Sequence, residues 1–306
     1  MTFSIVARDP ENGDLGGAVA SKFLAAGSVV SHARAEVGAI ATQALANFSY
    51  GPVGLDMLAE GLTAQETVRR LTAADEGRDH RQVGIVDATG ASATYTGANC
   101  IDWAGGRTLE GVAVQGNILA GPTVVDAMID AFLDLSLPFP ERLVAALKAA
   151  DGQGGDRRGR QSAALVIKRQ RGGYLGNNDN WIDLRVDDDP QPMDRLAGMV
   201  SLVRLYRDRP RVEDLLPIDD RLAAELSERL ATAGYSPERL DKRHGLAEAL
   251  AGVDVERTGE PRQAPQSWDL GWEQTLAEWM SVENLEERMT ARGWIDPRVL
   301  NHLRTQ

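Results

Sequence analysis

Hydrophobic and polar positions along the chain alternate between two spacings. TFSIVARD and LGGAVASKF are short apolar runs separated by the turn-forming PENGD, a pattern that predicts a β-hairpin. SVVSHARAEVGAIATQA supplies one or two further strands. The spacing then lengthens to that of helices. Pro52 suits the first turn of a helix to about Glu60, and Thr63 with Glu66 forms a capping box for a second helix to about Ala73. QVGIVDATG and ASATYTG return to strand spacing as another hairpin, and GVAVQGNIL adds a strand. Pro122 opens a helix whose Val125, Met128, Ile129 and Phe132 share one face, and Pro140 opens another to about Ala150. After the glycine-rich loop from Asp151 to Arg160 come strands SAALVIKRQ and NWIDLRV, then a helix from about Gln191 to Tyr206.

Strands joined mainly by hairpins pair antiparallel, so sheet segments alternating with helix pairs predict two sheets packed face to face under helical layers. The expected fold is α+β, a four-layer αββα sandwich. A doubly wound parallel sheet would need a helix after nearly every strand. Beyond residue 207 the pattern turns helical, with segments expected at about Arg221–Ala231, Pro237–Leu250, Trp268–Met280, Glu283–Arg292 and Pro297–Leu303. Ser236 and Asp296 are candidate caps, each followed by proline. Residues 258–266 read as a flexible connection. Composition shifts with the pattern: 25 of the 31 glycines lie in residues 1–210. The expected domains are 1–207, the sandwich, and 208–306, a small all-α module containing Trp268, Trp272, Trp279 and Trp294.

Charge narrows the partners. With 33 basic and 45 acidic residues among 306, the net charge of −12 repels phosphate backbones and anionic lipid, which argues against nucleic acid and membrane. The opening MTFSIVARDP lacks a basic segment followed by a long apolar one, and no run approaches a membrane span. The one cysteine, Cys100, has no internal partner, and with His32, His80, His244 and His302 scattered no zinc cluster is encoded. The expectation is a cytoplasmic protein without metal or cofactor.

Several catalytic engines are missing: there is no G-x-S-x-G, no H-E-x-x-H, and the glycine-rich DGQGGDRRGR lacks a phosphate-loop lysine. Thr2 is different. A threonine is small enough for the initiating methionine to be trimmed, which leaves an α-amine beside its own hydroxyl. An amine titrating at about 7.7 to 8.0 is a suitable base for that hydroxyl at neutral pH. The bland alternative is a β-branched residue starting a strand.

TFSIVARDPENGDLGGAVASKF, HARAEVGAIATQALAN, DHRQVGIVD, QGNILAG and GGDRRGRQSAAL together resemble the DUF1028 family, over about residues 1–205. DUF1028 is identified as a member of the N-terminal nucleophile (Ntn) hydrolase superfamily. The resemblance implies the αββα sandwich and amide hydrolysis by an N-terminal Thr, Ser or Cys. The tail resembles a peptidoglycan-binding module sometimes appended to this family.

The resemblance makes Thr2 the nucleophile and Ser21 the polar residue that orients it. Lys22 and Arg34, with His32 behind them, are candidates for a cation that keeps the amine neutral. Gln43 and Asn47 are candidates for holding the oxyanion. Gln115 and Asn117, at a strand end, and Asp156, Arg158 and Gln161, around the long loop, are candidates for lining the substrate. Each has a plain alternative in capping, turn formation or surface pairing. His80, Cys100 and the Asp187–Asp189 run read as structural. Two functions compete: an Ntn-type hydrolase of a small-molecule amide or ureido C–N bond, acting as a homodimer, and a noncatalytic scaffold whose aromatic tail grips a glycan or a partner.

Overall fold

The computed structural model describes residues 2–240 and 267–306. The chain divides into two compact units, Met1–Ser201 and Leu202–Gln306.

The first unit is the four-layer αββα sandwich. One sheet has six strands in the order β10 (Asn180–Val186), β9 (Ser162–Lys168), β2 (Leu15–Ser21), β1 (Thr2–Arg8), β8 (Val112–Asn117) and β7 (Gly105–Leu109). The other has four: β3 (Ser31–Arg34), β4 (Gly38–Ala44), β5 (Arg81–Asp87) and β6 (Ser92–Thr96). Every pairing is antiparallel. Helices α1 (Tyr50–Ala59) and α2 (Ala64–Ala73) cover the smaller sheet, and α3 (Thr123–Phe132) and α4 (Phe139–Gly152) cover the larger. Of the expected capping box, the N-cap bond is present, the Thr63 hydroxyl accepting the Glu66 N–H at 3.2 Å. Strand β7 escapes the hydrophobic pattern because its Arg107, Thr108 and Leu109 are exposed and carry no apolar alternation.

Because side chains alternate across a strand, the central strands bury both faces for different purposes. Ile40, Val83 and Ile85 turn toward α1 and α2, where they pack with Leu55, Leu58 and Leu71. Val6, Val19, Ala39, Ala41, Val86, Ala113 and Ala164 fill the layer between the sheets. Toward one end that layer changes character. The next positions outward are Ser4, Thr2, Ser21, Ser162, Gln43, Gln82, Gln115 and Asn117, all buried. Register sets them side by side: Thr2 is opposite Asn117, Ser4 opposite Gln115, Ser21 opposite Ser162 and Gln43 opposite Gln82.

The second unit packs α6 (Asp220–Thr232), α7 (Leu270–Val282) and α8 (Pro297–Thr305) around Leu226, Leu230, Trp268, Trp279 and Val299. Helix α5 (Pro192–Tyr206) spans the division between the units. Asp219, Asp269 and Asp296 cap α6, α7 and α8 through the N–H groups of Leu222, Trp272 and Arg298. The unit is not wholly helical, since β11 (Leu216–Pro217) pairs with β12 (Trp294–Ile295). The helix expected over Glu283–Arg292 is instead a single 3-10 turn, Glu286–Arg288, preceded by Asn284 in the left-handed region. Of the helix expected from Pro237, only the turn Pro237–Arg239 is described; its remainder from residue 241, and the connection expected at 258–266, lie outside the described residues.

One glycine shows how closely the sheets approach. A Cβ on Gly84 would lie 1.9 Å from Oε1 of Gln115, so β5 leaves that space to a side chain from the opposite sheet. Gly84→Ala is expected to cost about 2 kcal/mol through overpacking, measured as a lowered urea midpoint with an unchanged slope.

Candidate active site

Thr2 begins β1 on the inter-sheet face, 8% exposed. Its hydroxyl lies 3.0 Å from that of Ser21 on the neighbouring strand. Its carbonyl accepts from the Gln43 amide at 3.2 Å. Thr2 is thus held by both sheets.

Behind it runs a chain of buried amides whose donors and acceptors fix one another. Gln115 Nε2 donates to the Ser4 hydroxyl at 2.6 Å, and Ser4 donates to Gln43 Oε1 at 2.7 Å. Gln43 Nε2 donates to Thr2 and, at 2.8 Å, to Gln82 Oε1. Gln82 Oε1 also accepts from Asn117 Nδ2 at 3.0 Å, while Gln82 Nε2 donates to the Gly116 carbonyl at 2.8 Å. Three acceptors around Gln82 Nε2, including Thr96 and Gly105, leave a single orientation for that amide.

Five of the anticipated residues therefore meet here: Thr2, Ser21, Gln43 and Asn117 in one cluster, with Gln115 one layer deeper. Gln43 does not aim at a bound carbonyl, because its amide hydrogens are committed to Thr2 and Gln82. Ser4 and Gln82 were not anticipated. Period-two spacing from Thr2 places Ser4 on the same face, and Gln82 follows Arg81 at the start of β5, just before the apolar VGIV run.

The other candidates are placed elsewhere. Arg34 is opposite Gly38, at the far end of β4 from Gln43, and forms an exposed ion pair with Asp56 at 2.8 Å. Five residue steps along β4 separate Gly38 from Gln43, about 17 Å at the usual rise, so Arg34 is no neighbour of Thr2. The His32 ring is 3.3 Å from the Val29 carbonyl, and burial lowers its pKa. Asn47 donates to Asp75 at 3.2 Å and accepts from the Ser49 N–H at 3.1 Å, which makes it a loop-holding residue. The Lys22 ammonium donates to the Arg160 carbonyl at 3.3 Å. Asp156 is buried and accepts the Lys22 N–H at 2.8 Å, pinning the glycine-rich loop to the exit of β2; Arg158 pairs with it at 3.4 Å. Gln161 is turned away, donating to Asp188 at 3.1 Å. Cys100 donates to the Arg81 carbonyl at 3.4 Å, and burial raises its thiol pKa, as suits a packed group.

The loop beside the site hangs on Asp75. Its carboxylate accepts from Asn47, from the Tyr50 hydroxyl at 2.9 Å and from Arg81 Nε at 3.0 Å. The Arg81 guanidinium, foremost, holds the carboxyl well below the usual carboxylate range. Backbone strain gathers nearby. Ala25 follows β2, Ala44 ends β4 and Ile118 follows β8, all with left-handed φ between 53° and 70°. Such conformations are uncommon for residues with a Cβ, and β-branched Ile118 is the least expected of the three. A cavity of about 520 Å³ lies at the opposite end of the sandwich, lined by Arg8, Asp14, Glu36, Lys168 and Arg169, and is remote from Thr2. Among the described residues, no group of acidic, His or Cys side chains is arranged to hold a metal, and no helix is long and apolar enough to cross a membrane.

The first unit is thus an αββα sandwich whose first strand begins on Thr2, held through its hydroxyl by the neighbouring strand and through its carbonyl by the opposite sheet. Residues 2–196 match the family described as "Family of unknown function (DUF1028)", and the chain belongs to that family. Residues 257–303 match a "Putative peptidoglycan binding domain". The crystal structure of the DUF1028 protein SPO2555 from Silicibacter pomeroyi is similar, with 33% identity and a TM-score of 0.61 over 66% of this chain and 89% of that one. Anbu, the ancestral beta-subunit from Yersinia bercovieri, aligns at 13% identity with a TM-score of 0.32, covering 65% and 96% of the two chains. No curated protein matches.

Two outcomes follow from the site's construction. Gln82→Leu strands the amides of Gln43 and Asn117 and the Gly116 carbonyl, and should cost about 3 kcal/mol in chemical denaturation. Asp75 is depressed in the folded state, so its contribution is complete above the ordinary carboxylate pKa and is lost as pH falls through the folded one. Wild type should be more stable than Asp75→Asn at pH 5, with the gap narrowing toward pH 2 in thermal melts.

Proposed function

We propose that the sandwich unit is an Ntn hydrolase that cleaves an amide or ureido C–N bond of a small molecule, with Thr2 as nucleophile once Met1 has been removed. The observation that carries this reading is the placement of Thr2: its hydroxyl lies on the inter-sheet face beside Ser21, while Gln43 fixes its carbonyl from the opposite sheet.

The chemistry balances within one residue. The Thr2 α-amine takes the hydroxyl proton as Oγ1 bonds to the substrate carbonyl carbon. Collapse of the tetrahedral adduct breaks the C–N bond, and the same proton passes to the departing nitrogen. Water, deprotonated by the freed amine, then attacks the ester; cleavage of its C–O bond returns the proton to Oγ1. Ser21 orients the hydroxyl and Gln43 positions the residue. The amide of Asn117, opposite Thr2, gives one hydrogen to Gln82 and is the donor we assign to the developing oxyanion.

The match of residues 257–303 favours a second reading, glycan binding by the C-terminal unit. Trp268 and Trp279 are closed within its core, so gripping a sugar would fall to the partly exposed Trp272 and Trp294.

Thr2→Ala should abolish turnover across a panel of amides and ureido acids while its circular dichroism matches wild type, and Thr2→Ser should retain partial activity. Full activity in Thr2→Ala would overturn the assignment. Intact mass of the purified chain reads Met1 removal directly.

A further inference from the structure

Large apolar side chains stand at the strand exits that frame Thr2. Phe23 and Leu24 follow Ser21 and Lys22 out of β2; Leu45 and Phe48 follow Gln43 and Ala44 out of β4. Ile101 lies on the segment whose carbonyl accepts the N–H of Ile118, next to Asn117, at 2.8 Å. All five are more than half exposed.

These side chains sit on fastened backbone. The Phe23 carbonyl accepts the Ser162 hydroxyl at 2.6 Å. Leu45 donates its N–H to the His80 carbonyl at 3.1 Å and accepts the Arg81 guanidinium. Their three segments adjoin the left-handed residues Ala25, Ala44 and Ile118, so unusual backbone geometry accompanies the exposure. Apolar side chains held in water around a few convergent polar groups are the composition of a ligand site, in which burial by the ligand recovers the hydrophobic free energy.

We infer that Phe23, Leu24, Leu45, Phe48 and Ile101 form the recognition rim of the Thr2 site, and that its substrates are amides bearing a bulky aliphatic or aryl substituent next to the scissile bond. This rests on the reading of Thr2 as nucleophile. The five side chains carry no charge and match an apolar group of several carbons, while the cations beside them are engaged with protein groups: Lys22 with the Arg160 carbonyl, Arg81 with the Leu45 carbonyl and Arg158 with Asp156. The polar wall behind Thr2 is occupied by its own hydrogen bonds and serves the reacting carbonyl alone.

Two substrate series test the inference with the full-length chain: unbranched primary amides from acetamide to decanamide, and N-alkylacetamides of the same lengths. In at least one series kcat/KM should rise about two- to fourfold per methylene until the rim is filled, and Phe48→Ala should flatten that rise. A flat or falling profile, or a preference for charged ureido acids, overturns the rim while leaving the nucleophile standing. Calorimetric titration of Thr2→Ala with octanamide reads the rim without turnover. Binding that Phe48→Ala weakens, in a protein whose wild type hydrolyses nothing, supports the rim and defeats the nucleophile. Absence of both turnover and binding overturns the inference. So does concentration-dependent self-association abolished by Phe48→Asp without any chain-length effect, which would give the apolar surface to a second copy.

Discussion

The hydrogen bond from Gln43 to the Thr2 carbonyl is the constraint on which the site depends, because it joins the start of one sheet to the interior of the other. Buried amides are costly unless every donor and acceptor is met. Here each amide's orientation is dictated by its neighbour: Gln82 is fixed by the Gly105 and Gly116 carbonyls and the Thr96 hydroxyl, which sets Gln43, which in turn sets Ser4 and Thr2. A residue at the head of the first strand that would otherwise fray acquires a defined position, which the role proposed for Thr2 requires.

That network also explains the division within the inter-sheet layer. In one half, alanine and valine let the sheets approach closely; in the other, glutamines span the gap and require Gly84 opposite them. The apolar half supplies hydrophobic stabilisation without direction. The polar half supplies direction with little net stabilisation, since its hydrogen bonds replace bonds to water. Stability and positioning are thus separated along the same strands.

The architecture was legible because hairpin turns and period switches are local: the PENGD turn, the Thr63 capping box and the Pro122 helix each follow from a few adjacent residues. Strand β7 was not, since its membership comes from pairing with β8 and not from its own pattern. Within the site, Thr2 could be singled out from its place after the initiating methionine and from the family resemblance, and Ser21 and Asn117 because each sits at a strand end. Asn47 and Arg34 were misplaced for a shared reason. Both lie close in sequence to the β4 strand that carries Gln43, yet Asn47 folds back onto Asp75 and Arg34 leaves from the other end of the strand. Gln82 depends on the register between β4 and β5, which no short segment records.

The left-handed residues connect the buried network to the surface beyond it. A strand that ends on a fixed inward-facing side chain, such as Gln43 or Asn117, must turn at once if the chain is not to run across the opening between the sheets. Ala44 and Ile118 make that turn in a conformation costing on the order of 1 kcal/mol or more each. Glycine would adopt it more readily but would loosen the segment at the point where Gln43 and Asn117 need rigid backbone. Rigidity of the exits and order in the amide chain are therefore one requirement, and the turn at Ala44 leads directly into the segment that carries the exposed Leu45 and Phe48.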